Sequence, residues 1–149
     1  AKQGRDIDFN ISFRPIIGKT EQEAWERAEH IRELAEKQLR ETGFAFGKPK
    51  PQSVGAQRLL AAANEGDRLD KVLWTGIAKL VQGGYNSTAL VGTADQVSDA
   101  LLEYYRLDIH SVLIRGFDPL NDAVEYGEQL IPLTREKVAA LDVAEKRSA

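Results

Sequence analysis

Thr88-Ala-Leu-Val-Gly-Thr-Ala-Asp-Gln-Val97 and Ser111-Val-Leu-Ile-Arg-Gly-Phe-Asp-Pro-Leu120 decide the fold. Each begins as a short apolar run of the kind buried in parallel sheets, reaches a glycine, and passes into a helix with its own cap. Together they spell two consecutive βα units. In such architectures chemistry collects where strand gives way to loop, which places Gly92, Thr93, Arg115, Gly116 and Phe117 first among the functional candidates.

Upstream, Ile7, Phe9, Ile11 and Phe13 alternate with Asp8, Asn10, Ser12 and Arg14, the period of a half-buried strand over 7–17. Pro15 is expected to end its ladder pairing. Thr20-Glu-Gln-Glu23 is a capping box opening a helix whose stripe of Ala24, Ala28, Ile31, Leu34, Ala35 and Leu39 runs to about Thr42, with Gly43 as its stop. Residues 43–84 lose this regularity and predict two shorter helices, 53–65 and 71–81. So long an excursion between elements is an insertion of the kind that forms lids or binding loops. Gly83-Gly84 at its exit is either a hinge or an ordinary turn. A strand at 88–91, a helix at 94–106 with Thr93 and Gln96 as a second capping box, and a strand at 111–115 follow. Asp108 stands where a helix-terminating glycine is expected. A last helix spans 120–131, Pro132 interrupts it, and 134–149 is a charged, weakly striped helical tail expected to fray.

The 149 residues, 42% hydrophobic and 29% charged, suit one globular domain. A net charge of -3 with interspersed signs leaves no basic footprint for nucleic acid. No apolar run approaches the roughly 20 residues that cross a bilayer, and Ala1-Lys-Gln-Gly-Arg5 has no signal-peptide core, so the expected address is the cytoplasm. Absence of cysteine removes disulfides, zinc-thiolate sites and thiol nucleophiles. Absence of methionine, the initiator included, fits a processed product or a piece of a longer protein.

Three mostly parallel strands are too few for a closed barrel or a covered open sheet. A (β/α)8 barrel takes about 250 residues, and this chain holds about three of its eight units. The segments Phe13-Arg-Pro-Ile-Ile-Gly-Lys-Thr-Glu-Gln-Glu-Ala-Trp25, Gly83-Gly-Tyr-Asn-Ser-Thr-Ala-Leu-Val-Gly-Thr93 and Val112-Leu-Ile-Arg-Gly-Phe-Asp-Pro-Leu120 resemble the C-terminal part of the bacterial luciferase-like flavin-dependent monooxygenases, the alkanesulfonate monooxygenases above all. The resemblance implies an α/β fold, a partial TIM barrel made of about the last three βα units, strands six to eight, with a helical insertion. It also implies reduced FMN delivered by a separate flavin reductase, reaction with O2, and oxygenation of a small substrate. In the sulfonate branch a carbon–sulfur bond is cleaved to sulfite and an aldehyde. Binding, orientation and exclusion of water are then the protein's share of the chemistry.

Carried over residue by residue, the resemblance places Arg14 and Phe117 at catalytic positions and Arg115, Gly116 and Gln82 at the cofactor. An Arg and a His two residues apart on the family's sixth strand align with Ser12 and Arg14. The guanidinium of Arg14 suits a sulfonate or a flavin oxygen species, or else pairs with a neighbouring carboxylate. Phe117 replaces a tyrosine, keeping the ring and losing the hydroxyl, so no proton can pass through that group. Gln82 replaces an arginine of the mobile insertion and cannot stabilise charge as arginine does. Arg115 ends the last strand, where TIM barrels commonly hold phosphate; a barrel-interior ion pair is the other reading. Trp74 matches an aromatic residue of the insertion and is expected to pack beneath it. His30 and His110 lack partners at metal-ligand spacing, and Glu23 and Asp95 complement helix dipoles. Gly92 and Gly116 serve tight turns or close ligand approach.

Besides a phosphate-binding βα module of another enzyme, two functions follow. One is a portion of a monooxygenase that is active only with the remaining barrel strands. The other is a non-catalytic half-barrel that self-associates or serves as a structural partner subunit, its sheet edges needing cover.

Overall fold

The computed structural model describes residues 4, 8–43, 51–84 and 87–148, leaving Ile7 and the segment 44–50 of the insertion outside the described residues. The elements are β1 (Asn10–Ile17), α1 (Glu21–Thr42), α2 (Val54–Glu65), β2 (Leu73–Trp74), β3 (Ala89–Gly92), α3 (Ala94–Tyr105), β4 (Ser111–Ile114), α4 (Pro119–Glu125), a π-helical turn (Tyr126–Leu130) and α5 (Ile131–Ser148). The α/β class expected from the sequence is what forms. Both capping boxes close: Thr20 with Glu23 starts α1 and Thr93 with Gln96 starts α3. Gly43 ends α1 with φ 64, and Asp108 takes the left-handed backbone expected of it, φ 60.

The strands form one mixed sheet in the order β2-β3-β1-β4, with β1 parallel to both β3 and β4 and the two-residue β2 antiparallel to β3. Successive residues of β1 point to opposite faces, and each face has its own core. Ile16, Ala89 and Val91 meet Ala24 and Ala28 of α1 together with Trp74 and Ile77 of the insertion. Phe13, Ile17 and Leu90 meet Val97 and Leu101 of α3 with Tyr126 and Leu130 of the π turn. Helices therefore cover both faces, as in doubly wound sheets. Three consecutive strands of a barrel would instead stand as β1-β3-β4 with helices on the outer face alone. Here β4 lies on the opposite edge of β1.

Three local expectations are corrected. Pro15 does not end β1, which continues to Ile17 with Pro15 beside Leu90. The N–H groups of Arg14 and Gly18 reach β3, at the carbonyls of Thr88 and Gly92, while the carbonyl of Phe13 reaches Arg115 on the β4 side. The missing N–H of Pro15 thus falls on the β4 side, beyond the last β1–β4 pair, Phe13 with Ile114. No ladder bond is lost there. The helix expected at 71–81 is β2 followed by turns through residue 83. Asp70 accepts from the N–H groups of Val72 and Leu73 at 2.8 and 2.6 Å, and pairing of Leu73 with Leu90 holds the segment extended, a long-range gain that overrides local helix period. Finally, Pro132 does not break the last helix. The Ile131 N–H reaches back five residues to Tyr126, and this wide turn takes up the carbonyl crowding that proline causes in a regular helix.

α5 lies along α3, held by Lys137 to Asp95 at 2.7 Å and Asp99 at 2.5 Å and by the Tyr105 hydroxyl to Asp142 at 2.9 Å. Among the described residues, no helix is long and apolar enough to cross a membrane.

Candidate functional site

The chain reverses its direction of winding at β1: β3 lies on one side, β4 on the other, and the crevice beyond the carboxyl ends of β1 and β4 is a topological switch point. The candidate residues of strand one and strand four meet there. The Arg14 guanidinium crosses from β1 to donate to the Gly116 carbonyl at 2.7 Å and lies 5.0 Å from the centroid of the Phe117 ring, a cation–π contact. Partial burial, and then the like charge of Arg115, push Arg14 below the ordinary arginine value. Three of the expected residues, Arg14, Gly116 and Phe117, thereby meet, while Arg115, exposed at the end of β4, acts on Arg14 through its charge.

A further arginine, on α1, lines the crevice. Arg27 on α1 donates to the Ile17 carbonyl at 2.9 Å, to Glu125 at 2.8 Å and to Asp122 at 2.5 Å. Burial alone would lower its pKa; Glu125 and Asp122 outweigh burial and hold it raised. Asp122 is 3% exposed and also accepts from the Asp118 N–H at 2.9 Å. The Tyr126 hydroxyl donates to the Pro15 carbonyl at 2.5 Å, and burial, with the nearby Asp122 charge, raises its pKa strongly. Pro15 and Ile17 present carbonyls where β4 has already ended, and Tyr126 and Arg27 satisfy them. Gly116 is required by packing: a Cβ there would sit 2.4 Å from that of Asp122. Arg27, Asp122 and Tyr126 were missed at the level of sequence. The available signal was Asp118 as an N-cap with Asp122 one turn inside, a second carboxylate at a strand-to-helix junction.

Gln82 bonds within its own turn, to the Lys79 carbonyl at 3.4 Å, in a positive-φ conformation of 54°. Trp74 is buried in the core that α1 shares with the sheet, and Val81 and Phe117 pack against that same core. The insertion is pinned over the start of α1: Arg68 lies 4.3 Å from the Trp25 ring centroid and pairs with Glu21 at 3.0 Å, while Glu21 also accepts from Gln96 at 3.0 Å. His30 and His110 are exposed. The His110 ring meets Tyr105 edge-on at 5.0 Å. Among the described residues, no three His, Asp or Glu side chains converge as a metal ion would require. A cleft of about 590 Å³ lies elsewhere, on the α3 side, with Val72, Leu90 and Tyr104 as its apolar lining and Asp70, Asp99 and Glu103 as its acidic one.

The family model for luciferase-like monooxygenases matches residues 1–111, and the chain belongs to that family. The match takes in β1 with Arg14, the insertion with Gln82, and β3 with α3; Arg115, Gly116 and Phe117 lie beyond it.

Proposed function

We propose that this chain supplies one wall of a flavin-dependent monooxygenase, a portion of a two-component system in which reduced FMN from a separate flavin reductase and O2 oxygenate a small organosulfur substrate such as an alkanesulfonate. The observation that carries the reading is the placement of Arg14 between Gly116 and Phe117 at the carboxyl edge. The group fits such a ligand in kind, since guanidinium groups suit phosphate and sulfonate and an aromatic face suits a planar ring. It fits as a wall and not as an enclosure, because Asp122 fills the space against Gly116. Reduced flavin, when bound, supplies the electrons that activate O2. Arg14 and Arg115 hold an anionic group and fix its orientation, while Phe117 and the insertion exclude water. Phe117 offers no proton. The remaining barrel strands, from another polypeptide or another part of the same one, supply the opposite wall, and the cytoplasm is the proposed address.

Titration of the chain with FMN and with reduced FMN tests this. The reading expects no tight binding by the chain alone, and binding with substrate-dependent flavin oxidation once a polypeptide carrying the remaining βα units is added. Absence of both in the mixture overturns it.

A second reading, a non-catalytic half-barrel, is favoured by one observation: β4 takes an edge of β1 that a preceding barrel strand would need. Such a chain would form a stable sheet of its own and gain no flavin affinity from the mixture.

A further inference from the structure

We infer that the free edge of β4 is a self-complementary interface, on which a second copy of this chain pairs antiparallel across a two-fold axis at Leu113. The inference rests on the sheet this chain forms and not on the flavin reading. Among the described residues β4 is the end strand of the sheet. The Arg115 N–H reaches the Phe13 carbonyl at 3.1 Å, and the parallel register sets Ile11 beside Val112 and Phe13 beside Ile114. Backbone groups of odd-numbered residues in β4 thus face β1, and those of Val112 and Ile114 face outward.

A two-fold axis normal to the sheet must match each face with itself, so a residue can oppose only one of its own parity. Centring the axis on Leu113 sets Val112 opposite Ile114 of the second copy and Leu113 opposite its own mate. The outward N–H and C=O groups of Val112 and Ile114 then become the narrow hydrogen-bonded pairs, and Leu113 becomes the intervening non-bonded pair. The groups left unused by β1 are the ones this register needs. Symmetry brings like near like, so an ionic edge would repel itself; Ser111-Val-Leu-Ile114 carries no charge, no proline and no bulge, the usual guards of an edge strand. Leu113 is 50% exposed, and Val112 and Ile114 are half-buried. An apolar groove of about 350 Å³ continues from Val112 and Ile114 to Leu130, Ile131 and Val138, so the second copy extends an apolar surface already begun.

The chain has no cysteine, which makes the axis directly testable. Opposed residues of a non-bonded antiparallel pair stand about 4.5 Å apart at Cα, within reach of a disulfide. Leu113→Cys is expected to oxidise to a covalent dimer, and Leu107→Cys, 70% exposed but off the edge, is expected to remain uncrosslinked under the same conditions. The unmodified chain is expected at twice the chain mass by light scattering, and Leu113→Lys at the single mass with an unchanged circular dichroism spectrum. A monomeric parent chain, a Leu113→Lys variant that stays dimeric, equal crosslinking of the two cysteine variants, or gain of mass only with a polypeptide carrying the remaining βα units would each overturn the inference.

Discussion

The Tyr126 hydroxyl donates to the Pro15 carbonyl at 2.5 Å, across 111 residues of sequence, at the point where β4 has stopped pairing with β1. Proline and tyrosine thus solve one problem together. The proline removes a donor that would have no partner, and the tyrosine supplies one to the acceptor that remains. Tyr126→Phe keeps the ring and orphans that carbonyl. The expected cost is about 1–2 kcal/mol, seen as a lower urea midpoint with an unchanged slope.

Arg27→Met leaves Asp122, which is 4% exposed at its side chain, without its cation. Because Arg27 is itself a third exposed, the expected loss is about 2–3 kcal/mol, at or below the lower end of the cost of breaking a buried pair. A double-mutant cycle with Asp122→Asn measures it. The coupling predicted is favourable and well above that of the exposed Arg40–Glu36 pair at 3.2 Å.

Gly116→Ala separates packing from ligand approach. Its Cβ would meet Asp122 with no room to spare, so the substitution is expected to cost about 1–3 kcal/mol in thermal or urea unfolding with no ligand present. An unchanged stability would show that the junction yields easily and that the glycine serves something else.

The contact between insertion and α1 is expected to depend on pH through Glu21. Its hydrogen bond from Gln96, and then that from Arg68, lower its pKa below the ordinary glutamate value of about 4.3. A depressed folded-state pKa gives stabilisation that is fully present above the unfolded value and is lost as pH falls through the folded one. Trp25, under the Arg68 guanidinium, should therefore report a change in fluorescence in the acid range below that value. Glu21→Gln is expected to abolish the transition, and its persistence in that variant would assign it to another carboxylate.

Features set by near neighbours were legible in the sequence. Thr20 with Glu23 and Thr93 with Gln96 announce helix starts because the bonds they make are three residues long, and Asp108 marks a left-handed turn for a similarly local reason. Lys71 to Val81 misled because local period competes there with pairing to Leu90, a partner outside any sequence window. The site was half visible. Arg14, Arg115, Gly116 and Phe117 stand at strand ends, where position alone nominates them, and Arg14 does meet Gly116 and Phe117. Arg27 and Asp122 are 95 residues apart, and nothing in the run of α1 marks Arg27 from the exposed arginines beside it. The placement of β4 was also hidden, since strand order depends on which edge of β1 is open and not on the strand's own residues.

Phe117 reaches Arg14 only because β4 lies against β1. Asn10 and Ser111 are register partners with their side chains 2.9 Å apart, in a chain free of cysteine. Mild oxidation of the Asn10→Cys, Ser111→Cys variant is predicted to give an intramolecular disulfide with the fold intact, whereas Ser87→Cys with Ser111→Cys gives none. A bond in the second pair and not in the first would place β4 beside β3 and contradict the site.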